Sequence, residues 1–121
     1  MSEHIASDLL QKWVKTIQSG DPKQITELYE NDALLLGTFS DKERFGHELI
    51  FEYFENLLKS DVDVKIISEK PIDGDKIAVN SGFYNFIVDG KIIEARFSFV
   101  FHSSNSVWKI ISHHSSIVPK G

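Results

Sequence analysis

Residues 95–119 read ARFSFVFHSSNSVWKIISHHSSIVP, and this stretch decides the fold. Phe97, Phe99 and Phe101 fall at every second position, with Trp108 beyond the break at Ser103–Ser106, which is the spacing of strands with one buried face. Arg96, Ser98, His113, His114, Ser115 and Ser116 are interleaved with them. Such groups are costly to bury unless something satisfies them, so the pattern predicts two long strands carrying a core and a polar pocket.

Working outward, the segment before this stretch also has strand character. Val62, Val64 and Ile66 alternate with polar residues up to Pro71, Asp73-Gly74 turns the chain, and a second run extends from about Lys76 to Val88. Asp89-Gly90 is a further hairpin signal, leading into a strand over about 92–102, and the last strand runs from Val107 to about Ile117. The N-terminal half has helical spacing instead. Ile5, Leu9, Leu10, Trp13, Val14 and Ile17 form one apolar stripe, with Ser2 or Ser7 as candidate N-cap and Gly20 as the stop. Asp21-Pro22 starts a second short helix, and Leu49, Ile50, Tyr53, Phe54, Leu57 and Leu58 mark a third from Gly46 to Lys59. Between them Ala33–Gly37 reads as a short buried strand followed by a loop. The order is helix, helix, strand, helix and four strands in a meander, an α+β plan.

The 121 residues suit one domain spanning residues 1–121, since domains most often contain about 100–150 residues. There is no cysteine, which removes disulfides, zinc-thiolate sites and thiol nucleophiles. The net charge of −5 argues against nucleic acid and anionic membranes as partners, because phosphate binding rests on dense Lys and Arg. The beginning of the sequence has neither the basic region nor the apolar run of a signal peptide, and the expected location is the cytoplasm.

Two-residue hairpin loops fix an expected register. In the first hairpin Lys91 opposes Val88, Arg96 opposes Phe83 and Ser98 opposes Ser81; in the second, Ser103 opposes Ser106, which sets Arg96 across from His113. On this register Ser81, Arg96, Ser98, His113 and Ser115 share one face. Tyr84, Phe97, Phe99, Trp108, Ile110 and His114 share the other.

The motifs Asn80-Ser-Gly-Phe-Tyr-Asn-Phe86, Ala95-Arg-Phe-Ser-Phe-Val-Phe101, Trp108-Lys-Ile and His113-His-Ser-Ser, with Pro119, resemble bacterial stand-alone relatives of the calcium/calmodulin-dependent protein kinase II association domain. These belong to the nuclear transport factor 2-like (SnoaL-like) superfamily. Trp13, Gly20-Asp21-Pro22, Leu28-Tyr29, Asp32-Ala33 and Tyr53-Phe54 extend the resemblance over nearly the whole chain. It implies a cone in which three N-terminal helices pack in a curved antiparallel sheet, with a polar pocket at the open end and assembly into homodimers or larger rings. In the kinase domain that pocket is rich in arginine. Here the matching region offers Arg96, while Ser81 and Ser115 stand where arginines would align.

The candidate ligand-binding residues are Arg96, His113, Ser98, Ser81, Tyr84, His114 and Tyr53. A guanidinium and an imidazole facing each other across two strands would hold a carboxylate or an enolate, and the two tyrosines would bring phenols into the pocket. His113 and His114 are adjacent in a strand and point to opposite faces, so they do not chelate a metal together. No metal and no cofactor is expected. The leading expectation is a small-ligand-binding, self-associating domain, taking a small carboxylate or a hydrophobic carbonyl compound. The alternative is a ketosteroid-isomerase-like or SnoaL-like isomerase, cyclase or hydratase, with Asp32 and Asp41 as the nearest loop carboxylates for proton transfer. A third reading is an assembly module for another protein, which requires an apolar patch left exposed after self-association.

Overall fold

The computed structural model describes residues 4–120. Three helices, α1 (Ile5–Gln18), α2 (Pro22–Thr26) and α3 (His47–Leu57), lie against one six-stranded sheet built from β1 (Tyr29–Leu36), β2 (Arg44–Phe45), β3 (Val62–Asp73), β4 (Ile77–Val88), β5 (Lys91–Ser104) and β6 (Val107–Ile117). The strand order is β2-β1-β6-β5-β4-β3. The expected plan holds, with β2 as an added edge strand. The sheet is mixed rather than wholly antiparallel, because β1 pairs with β6 in parallel. No hairpin joins these two strands, so no turn signal sets their relative direction.

α1 buries Ala6, Leu10, Trp13, Val14 and Ile17 against the inner face of the sheet, where Tyr84, Phe86, Phe97, Phe99, Phe101 and Ile110 close the core. Its C-terminus follows the expected signal: Gly20 takes φ +76°, and its N–H donates to the Ile17 carbonyl. Its N-terminus does not. Ser7 lies inside the helix and donates to Glu69 at 2.7 Å, while Ser2 is outside the described residues. The cap comes from the far end of β3, where the Asp73 carboxylate accepts from the Ile5 N–H (2.9 Å) and the Ala6 N–H (3.0 Å). α2 uses its own cap, Asp21, which accepts from the Lys23 and Gln24 N–H groups, with Pro22 in the first helical turn.

β3 runs through Pro71 to Asp73, which an edge strand tolerates because one side of its backbone has no partner to lose. A bulge at Ile67 presses β3 onto β4: a Cβ added to Gly82 would collide with the Ser68 carbonyl oxygen.

The β4–β5 register is the expected one, with Val88 opposite Lys91, Phe83 opposite Arg96 and Ser81 opposite Ser98. The β5–β6 register is not. The left-handed turn pair is Asn105-Ser106, one residue later than expected, so Ser104 opposes Val107. A bulge then inserts Ile111: Phe101 opposes Ile110, but Val100 opposes Ser112. The later turn moves the pairing by an even step and leaves the faces alone, whereas the single bulge residue exchanges them. Arg96 therefore opposes Ser116, and His113 opposes Phe99 on the inner face. His114 faces outward beside Ser98, the reverse of its expected side. Among the described residues no helix is long and apolar enough to cross a membrane.

Two substitutions check these constraints. Asp73→Ala removes the cap of α1 and lowers Tm in thermal unfolding. The two backbone bonds hold the Asp73 carboxyl below its usual range, so this contribution is present above the ordinary carboxylate pKa and is lost as pH falls through the lowered one. Gly82→Ala drives a methyl group into the β3 backbone and destabilises the fold severely, read as loss of soluble protein or of the cooperative transition.

Candidate functional site

The bulge at Ile111 splits the expected site residues into two groups. His113, Tyr84 and Tyr53 are buried inside the cone. Arg96, Ser98, Ser81 and His114 lie on the outer face of the sheet.

Inside, the polar groups form one connected chain. The Trp13 Nε1–H donates to the Tyr29 hydroxyl at 3.1 Å; Tyr29 Oη lies 2.8 Å from His113 Nδ1; His113 Nε2 lies 3.2 Å from Tyr84 Oη. Tyr84 donates to Ser115 Oγ, and Ser115 is bonded to Thr38 Oγ1. Donor chemistry orients the links from Trp13 to Ser115. The indole N–H donates to the Tyr29 oxygen; the Tyr84 proton is given to Ser115, so the contact with His113 needs the imidazole proton on Nε2, and the Tyr29 proton goes to the bare Nδ1. The imidazole proton goes to Tyr84, which passes its own to Ser115, and the Ser115 and Thr38 hydroxyls share a bond in which either can donate. The chain runs one way from Trp13 on α1 to Ser115 on β6.

Packing holds the links in place. The His113 ring stacks on Phe99 with centroids 3.8 Å apart, and Trp13 meets the His113 ring edge-on at 5.4 Å. Burial among these rings pushes the His113 pKa down to about 3, with His114 adding a smaller push, so the imidazole is neutral. Burial also pushes up the phenols: Tyr53 to about 12, and Tyr29 and Tyr84 well above the ordinary range. Tyr53 accepts from the Phe39 N–H at 3.3 Å, with its ring so close to Gly37 that a Cβ there would collide with it. Among the described residues no buried polar side-chain atom lacks a partner.

The outer group is a two-by-two block. Arg96 and Ser116 oppose each other above Ser98 and His114, and together with Phe97 they line a shallow groove. The Ser81 and Ser98 hydroxyls are bonded at 2.8 Å. The Arg96 Nε–H donates to Ser116 Oγ at 3.4 Å, and the guanidinium has no carboxylate partner among the described residues. Arg44 differs from it. Its side chain is 12% exposed and is tied to Glu52 at 2.8 Å and to Ser40.

Sequence reasoning missed Trp13, Tyr29 and Thr38 as members of the polar chain. Trp13 and Tyr29 sit at ordinary core positions, and only a pairing partner distinguishes a buried indole or phenol that belongs to a network from one that simply packs.

Three measurements follow. A long-range 1H–15N spectrum will show His113 protonated at Nε2 and unchanged between pH 8 and 5. Stability, followed as the denaturant midpoint, will fall as pH drops from about 6.5 toward 3, because the unfolded imidazole takes up a proton that the folded one refuses; His113→Gln will flatten this slope. Tyr84→Phe, which strands the His113 N–H and removes the donor to Ser115, will cost about 1–3 kcal/mol.

The family model for the calcium/calmodulin dependent protein kinase II association domain matches residues 3–119. A comparison with curated proteins returned no match. A solved Xanthomonas campestris protein, provisionally assigned to the same association domain, is 32% identical, with 95% of this chain and 86% of that one covered and a TM-score of 0.89. Two others share the fold at lower identity. A provisional ketosteroid isomerase from Parabacteroides distasonis is 22% identical (96% of this chain and 89% of that one covered, TM-score 0.81), and a provisional dehydratase of the NTF2-like family from Streptomyces avermitilis is 13% identical (94% of each, TM-score 0.83). With its NTF2-like fold, the chain belongs to the calcium/calmodulin dependent protein kinase II association domain family.

Proposed function

We propose that this chain is a self-associating domain whose copies meet through the outer face of the sheet, and that Arg96 on this face takes a small carboxylate. The observation that carries the reading is the apolar content of a face that no helix covers. Phe83 is 46% exposed in β4, and Ile77 of the same strand, Ile72 of β3 and Ile92 of β5 are exposed on the same side. The helices occupy the inner face, so a second sheet is the natural cover for the outer one. Membership of an association-domain family supports the same conclusion.

The carboxylate site is the outer block. Arg96 supplies the charge without a competing acidic partner, and Ser98, Ser116 and His114 supply further hydrogen-bonding groups around one groove. Proton-transfer chemistry finds less support. Among the described residues no carboxylate is fully buried, the half-buried Glu69 is taken up by Ser7 and Asn80, and an imidazole that stays neutral to about 3 is a poor proton acceptor.

Size exclusion with light scattering at micromolar concentration will give a dimer or larger assembly, and Phe83→Arg will shift it toward monomer. A strict wild-type monomer would sink the self-association. In a thermal-shift screen of small carboxylates, Arg96→Ala will lose the stabilising hits, and an unchanged set of hits would remove the ligand claim.

A further inference from the structure

Arg96 stands near the middle of the outer face. Its strand, β5, has β4 and β3 on one side and β6, β1 and β2 on the other, and Arg96 is the sixth of the 14 residues in that strand. The exposed ring of Phe83 is its direct partner across the β4–β5 pair. Arg96 uses only its Nε–H, toward Ser116, and the two terminal nitrogens of the guanidinium have no partner among the described residues.

We propose that a carboxylate held by Arg96 forms part of the contact between two copies, so that ligand binding and assembly strengthen each other; this rests on the outer-face reading given under the proposed function. Symmetry is the first argument. A two-fold contact uses the same patch on both copies, so covering the middle of the sheet takes two guanidinium groups out of water together. Arginine keeps its charge in proteins, and a charge buried without a counterion is strongly destabilising. None of Ser81, Ser98, Ser116 and His114 around it supplies a negative charge. On the same side of β5 the neighbouring carboxylate is Glu94, two residues back and no part of the groove. A bound carboxylate engages the terminal nitrogens as a bidentate partner and offsets the repulsion between the two copies. Shape is the second argument. The groove of Arg96, Ser98, His114 and Ser116 is shallow and covers one side of a small ligand, whereas ligand sites enclose most of what they hold. The second sheet supplies the missing wall.

The test is light scattering over a dilution series of the full chain, in sodium acetate and in sodium chloride at matched ionic strength, with acetate binding followed by 1H–15N shifts at Arg96 and Ser116. Acetate will lower the concentration of half-dissociation about tenfold, the value of one charge-assisted hydrogen bond. Acetate affinity will rise with protein concentration, because the coupling is reciprocal. Arg96→Gln, which removes the charge, will hold together in chloride and ignore acetate; Arg96→Lys, which keeps the charge without the planar fork, will respond less than wild type. Equal dissociation in both salts, looser assembly in acetate, or an undiminished acetate effect in Arg96→Gln would overturn the proposal. So would a Glu94→Gln variant that falls apart in either salt, because Glu94 of the second copy would then be the counterion. Acetate shifts at Arg96 and Ser116 beside an assembly indifferent to acetate remove the coupling and leave the proposed function intact, whereas a strict monomer or the absence of those shifts removes both.

Discussion

One inserted residue governs how this molecule uses its last two strands. Side chains alternate between faces along a strand, so Ile111, unpaired between Ile110 and Ser112, exchanges the faces of everything after it. Without it Ile110 and His114 would share the inner face, and the imidazole at 113 would point outward beside Arg96. With it, Ile110 stays in the core, His113 enters the ring of Trp13, Tyr29, Tyr84 and Phe99, and Ser115 follows it inside. The bulge thus creates the buried polar chain and separates it from the outer block of Arg96, Ser98, His114 and Ser116.

A buried polar chain must be complete to be tolerated, since one unmatched donor in a low-dielectric core costs as much as several surface contacts contribute. The core here meets that demand by direction. Trp13 can only donate, which starts the sequence, and the neutral imidazole both accepts and donates, which lets it pass the sequence on. A charged imidazole has two protons to give and would face the Tyr29 hydroxyl donor to donor. Packing and protonation therefore enforce each other: the rings that exclude water keep His113 neutral, and the neutral tautomer satisfies the hydroxyls on both sides.

Much of this was legible in the sequence. The three helical stripes, the four meander strands and the β4–β5 register follow from period and from Asp89-Gly90, whose residues adopt the left-handed conformation that such a turn requires. The β5–β6 register was not legible, for two physical reasons. Ser103–Ser106 contains no glycine to mark which pair turns, and Ser106 takes a positive φ that nothing in its chemistry announces. The bulge has no composition signal at all, because Ile111 suits a strand as well as its neighbours do. The identities of the polar residues were therefore found correctly while their pairing was not. The division of Arg96 from His113 is the consequence.

The cap of the first helix bears on how the chain folds. Asp73 reaches back to Ile5 and Ala6 across most of a domain's worth of sequence, so the first turn of α1 gains its last hydrogen bonds only when β3 is in place. A helix capped by its own residues forms ahead of the sheet; this one is finished by it. The opening turn of α1 should accordingly exchange its amide hydrogens together with the end of β3 rather than with the rest of its own helix, which makes a single cooperative unit out of segments that lie far apart along the chain.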